Sequence, residues 1–87
     1  MTSLTMGFSG PAVCRVTGVT YRQLDYWART GLVTPSVSPA QGSGSKRVYS
    51  YADVVEVKVV KSLLDAGVSL PRARQAVNCL REQLGVD

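Results

Sequence analysis

The chain has 87 residues, 45% of them hydrophobic, with two cysteines, no histidine and a formal net charge of +4. This length allows one small domain, which buries only about 60% of its unfolded surface and so needs nearly every apolar residue for packing. The apolar content argues against disorder, and no apolar run approaches the roughly 20 residues of a membrane span.

The opening, MTSLTMGFSG, has neither a basic start nor an apolar core, so no signal peptide is read and a cytoplasmic protein is expected. Residues 1–9 read as an N-terminal tail. Gly10-Pro11 then opens a short helix, with proline in the first turn where its missing N–H costs nothing. Ala12, Val13 and Val16 supply its apolar side and Gly18 ends it. The next helix runs from Tyr21 to Thr30. Thr20 and Gln23 form a capping box before it, Val19 packs on Leu24 as a hydrophobic staple, and Gly31 provides a left-handed stop. Leu24, Trp27 and Ala28 share the face expected to be buried. Arg22, Tyr26 and Arg29 recur at helical spacing on another. Two short helices joined through Gly18-Val19 match a helix-turn-helix spanning 10–31.

From 33 to 51 the character changes. Pro35, Pro39, Gly42 and Gly44 forbid a helix, whereas Val37 and Arg47-Val48-Tyr49 favour extended structure. The segment reads as a β-hairpin wing with its tip at Ala40–Ser45, leaning on the helices because an isolated hairpin is marginal in water. Ser50 caps a third helix (50–66), with Asp53 in the capping-box position and Tyr49 facing Val54 across the staple. Val54, Val57, Val60 and Leu64 form its apolar stripe, and Gly67 stops it. Ser69 caps a fourth helix (69–84), whose core face is Ala73, Ala76, Val77, Leu80 and Leu84. The fold class expected is mainly α with a small β-hairpin wing, a winged helix-turn-helix of four helices over 10–84.

The charge is unevenly placed. Up to Tyr51 there are five bases (Arg15, Arg22, Arg29, Lys46, Arg47) and one acid, Asp25, whereas from Ala52 onward bases and acids cancel. A basic face of this kind suits a polyanion. The distant Cys14 and Cys79 lack metal-ligand spacing and are expected to be small buried apolar residues. No paired carboxylates, phosphate-binding glycine loop, or nucleophile with a base suggests catalysis. No catalytic residue, metal or cofactor is expected, and the chain reads as a DNA binder.

Gly18-Val19-Thr20, Leu24, Tyr26, Gly31-Leu32, Pro35, Arg47, Tyr49-Ser50, Asp53 and Gly67 stand in the order and spacing of the MerR family of transcription regulators, which the chain resembles from about Pro11 to Leu84. The resemblance implies a nucleoid-associated protein with its second helix in the DNA major groove and its wing on the flanking backbone. It also implies a homodimer, formed in most members through a long helix beyond the fourth, and RNA polymerase as a further candidate partner. A chain ending at Asp87 is then a fragment of a longer regulator, the favoured reading, or a minimal member.

Arg22, at the start of the second helix, is the candidate for base-edge contact. Thr20 and Tyr21 can donate to phosphate through the backbone amide and the hydroxyl, although Thr20 can equally serve as a cap. Tyr26 and Arg29 lie on the same face as Arg22. Lys46 and Arg47 are expected to grip the backbone from the wing, and Tyr49 is either a phosphate contact or the staple of the third helix. Asp25 stands where the family commonly has arginine and is expected to orient Arg29 or Arg22. Trp27 replaces a common tyrosine. An architectural DNA-bending protein, of the type of phage excisionases, is the alternative function.

Overall fold

Local hydrogen bonds at the helix starts lay down most of this architecture. The computed structural model describes residues 7–37 and 47–84. Its elements are β1 (Phe8–Ser9), α1 (Gly10–Thr17), α2 (Tyr21–Thr30), β2 (Val48–Tyr49), α3 (Tyr51–Asp65) and α4 (Leu70–Leu84). Ser9 caps α1, its Oγ accepting from the Ala12 amide at 3.2 Å. Thr20 and Gln23 bond reciprocally at the start of α2, at 3.0 and 3.1 Å. Ser50 and Asp53 do the same for α3, at 3.1 and 2.9 Å. Each arrangement satisfies amides that a helix start would otherwise leave unpaired. Gly18 and Gly31 end α1 and α2 in the left-handed region, with φ of 86° and 80°, where a side chain would be strained.

The helices bury one shared core. Val13 of α1, Leu24 and Trp27 of α2, and Leu32 and Val33 beyond them meet Val57 and Val60 of α3 and Ala73 and Val77 of α4. The Leu32 and Val33 amides both donate to the Trp27 carbonyl, at 2.9 and 3.3 Å, which turns the chain sharply out of α2. α3 and α4 pack on each other and α1 packs on both α2 and α3. This is the expected class: mainly helical, four helices and a small antiparallel pair of strands, a winged helix-turn-helix.

Several expectations are corrected. The tail does not run to residue 9, because Phe8 and Ser9 pair antiparallel with Tyr49 and Val48. The wing strand β2 therefore takes its ladder partner from the N-terminus. Among the described residues, the other limb of the wing adds a bond from the Val37 amide to the Val48 carbonyl at 3.2 Å. Val16 is 55% exposed. Its expected place on the inner side of α1 goes to Thr17, which is buried and satisfies its hydroxyl on the Val13 carbonyl at 2.7 Å. Neither cysteine is fully buried: Cys14 is half-buried and Cys79 exposed. The wing tip at Ala40–Ser45, Lys46 and the side chain of Leu84 lie outside the described residues.

One buried ion pair braces the helices. Glu56 of α3 is 1% exposed and accepts from Arg81 of α4 through both carboxylate oxygens, at 3.2 and 3.1 Å. The same guanidinium donates to the Leu32 carbonyl at 3.1 Å. Arg81 thus joins α4, α3 and the turn that follows α2.

Candidate nucleic-acid interface

The exposed side of α2 carries most of the candidate residues. Leu24 and Trp27 are buried, which fixes the rotation of the helix about its axis. Opposite them Tyr21 and Tyr26 are 56% and 55% exposed, Arg22 is exposed, and the Arg29 side chain is 74% exposed. Among the described residues Arg22 makes no ion pair, so its guanidinium faces solvent with all its donors available. Thr20 is engaged in its cap, its amide bonded to the Gln23 side chain at 3.1 Å. That amide is already paired, and its hydroxyl takes the Gln23 amide.

Asp25 organises the basic groups. Its Oδ2 accepts from Arg29 Nε at 3.0 Å and its Oδ1 from Arg47 Nη2 at 2.6 Å. Of the two partners expected on its own helix, Arg29 is held and Arg22 is not. Arg47, at the foot of the wing, is the partner that helical spacing does not reveal. The hydrogen bonds from Arg47 first and Arg29 second hold the Asp25 carboxyl below the usual carboxylate range, and Asp25 in turn raises the pKa of Arg47. The acid is therefore charged at neutral pH and compensates two of the bases around it.

The structure turns two wing residues inward. The Arg47 side chain is only 16% exposed, and its Nη1 is buried without a partner among the described residues. It borders a cleft between the foot of the wing and the start of α1, where Gly10, Pro11, Tyr21 and Val48 also face. Tyr49 is 0% exposed, and its hydroxyl is buried without a partner among the described residues. Burial pushes that hydroxyl up to about 12. Of its two readings, the staple of α3 is the one that fits a ring in the core. The structure thus brings Tyr21, Arg22, Tyr26 and Arg29 to one surface, keeps Arg47 beside it in the grip of Asp25, and puts Tyr49 beneath.

Two short helices across a glycine turn, the second exposing arginine and tyrosine beside the wing strand, define a winged helix-turn-helix protein of the DNA-binding class. The sequence matches the family described as MerR HTH family regulatory protein over residues 8–80, and the chain belongs to that family of DNA-binding transcription regulators. It is 55% identical over 78 residues to an uncharacterized HTH-type transcriptional regulator of Mycobacterium bovis, and equally to counterparts from two strains of Mycobacterium tuberculosis. Each match covers 90% of this chain and 35% of the relative, so the chain spans about a third of the length of those proteins. No helix among the described residues is long and apolar enough to cross a membrane.

Proposed function

We propose that the chain is the sequence-reading DNA-binding domain of a MerR-like transcription regulator, with α2 in the major groove and the foot of the wing against the flanking backbone. The observation that carries this reading is the exposed face of α2, where among the described residues Arg22 stands free of any ion pair between Tyr21 and Tyr26. Arg22 reads a base edge, for which a guanidinium offers paired donors to guanine. Tyr21 and Tyr26 donate their hydroxyls to phosphates, and Thr20 holds the first turn of α2 in place for them. Arg29, Lys46 and Arg47 supply positive charge along the backbone, and Tyr49 acts from the core by fixing β2. The full-length protein pairs as a homodimer on a promoter operator, at the nucleoid, through a segment outside this chain, with RNA polymerase as a further partner.

The test uses a duplex selected from a randomised pool and a random duplex of equal length, read by fluorescence anisotropy over a range of salt. Arg22→Ala is expected to weaken the selected duplex by about tenfold or more and the random one far less, as loss of a base contact does. Lys46→Ala should weaken both alike and lower the salt slope by about one. Equal affinity of the native chain for the two duplexes at moderate salt overturns the sequence-reading function. A cooperative footprint over repeated sites, in place of one symmetric footprint, would favour the architectural alternative.

A further inference from the structure

Asp25 is the sole acid in the basic N-terminal part of the chain, and it stands on the helix face that the proposed function turns toward phosphate. A carboxylate there repels DNA, so a contribution to raw affinity does not account for it. Stability does not account for the pair with Arg29 either, because that guanidinium is 74% exposed and exposed ion pairs contribute little to folding. What the carboxylate does is geometric. One oxygen holds Arg29, at 3.0 Å from Nε and 2.8 Å from Nη2, and the other holds Arg47 at 2.6 Å. The Asp25 side chain thereby joins α2 to the foot of the wing. β2 is held besides by its two-residue ladder with β1, by the Val37 bond, and by Tyr49 packed in the core.

We propose that Asp25 is a specificity-determining positioning residue. It fixes the wing relative to the reading helix, and it withholds two guanidinium groups from indiscriminate contact with the backbone. The inference rests on the DNA-binding reading above. On a random duplex, Arg29 and Arg47 stay with the carboxylate, which is a fixed and well-aligned acceptor, and contribute little counterion release. On the correct site, the wing and α2 meet the groove and its flank together. The phosphates then stand where they compete for the exposed Arg29 guanidinium and, through the cleft it borders, for Arg47. Discrimination rises because binding to the wrong sites is weakened, a repulsive element rather than a new attraction.

Asp25→Asn tests this, because it keeps the shape and removes the charge. The random-duplex affinity should rise and its salt slope should steepen by about one to two, one for each guanidinium released. The ratio of selected to random affinity should fall about tenfold, within the range that one well-placed base contact supplies. Asp25→Glu keeps the charge within reach of Arg29 and should retain the native slope on random duplex. A second substitution, Arg29→Gln, should lower the random-duplex slope more in the Asp25→Asn background than in the native one. If Asp25→Asn weakens both duplexes equally, or leaves the random-duplex slope unchanged, the proposal is overturned and Asp25 is merely structural.

A further measurement needs no substitution. The Arg29 Nε–H resonance should keep its free-protein position when random duplex is added and move when the selected duplex is added. Equal movement with both duplexes counts against the proposal. Failure of the native chain to bind either duplex strikes instead at the DNA-binding reading, so the two failures are distinguishable.

Discussion

A buried phenol hydroxyl lacking an acceptor forfeits its hydrogen bond to water without replacement, and among the described residues Tyr49 is in that position. Tyr49→Phe removes the group that suffers and leaves the ring that packs. The expected outcome is a thermal midpoint equal to or higher than the native one, with a gain of up to about 1 kcal/mol. A pH dependence follows with a definite sign. Folding raises the hydroxyl to about 12, against about 10 for a free tyrosine. The folded state favours the neutral form, so its contribution is complete below about pH 10 and is lost as pH rises toward the folded value. Urea titrations between those limits should show a steeper alkaline loss for the native chain than for Tyr49→Phe. Unchanged binding of the selected duplex by this variant would fit the core role, and a drop would return the hydroxyl to the interface.

At the scale of elements, the Glu56–Arg81 pair shows how charge is tolerated inside so small a core. Glu56 is almost wholly enclosed, and Arg81 answers both of its oxygens while also satisfying the Leu32 carbonyl. Arg81→Met leaves the carboxylate buried and unpaired, for which a loss of about 3 kcal/mol is expected in urea unfolding. Adding Glu56→Leu to it should recover much of that loss, since a buried pair and well-packed apolar replacements are often nearly equivalent. A double variant no better than the single one would show that the Leu32 carbonyl, not Glu56, is the partner that counts. The helices themselves were readable from sequence because their signals are local. Thr20 with Gln23, Ser50 with Asp53, and Gly18 and Gly31 all act within four residues of the boundary they set. Arg81 with Glu56 and Asp25 with Arg47 join different elements, and no spacing rule within one helix connects them. Arg29, four residues from Asp25, falls within that rule, whereas the eight residues of α1 are too few for their pattern to fix its rotation and place Val16.

For the molecule as a whole, the N-terminal strand ties the reading surface to the rest of the fold. Phe8 packs against the core and lies opposite Tyr49, so the pair closes a loop that contains the entire helix-turn-helix. Nothing in MTSLTMGFSG announces a strand, since two residues carry no alternation and their partner lies far along the chain. Closing so long a loop costs chain entropy before the two-residue ladder returns anything. That arrangement has a consequence in time rather than in space. β1 should dock after the helices have condensed, too late to help form the folding transition state. Phe8→Ala is then expected to speed unfolding while leaving the refolding rate close to native, as a stopped-flow chevron would show; a slowed refolding limb would place the strand in the nucleus instead. In the native ensemble the same arrangement makes β1 the part expected to open before the helices do, a sequence in time that hydrogen exchange at its amides would follow.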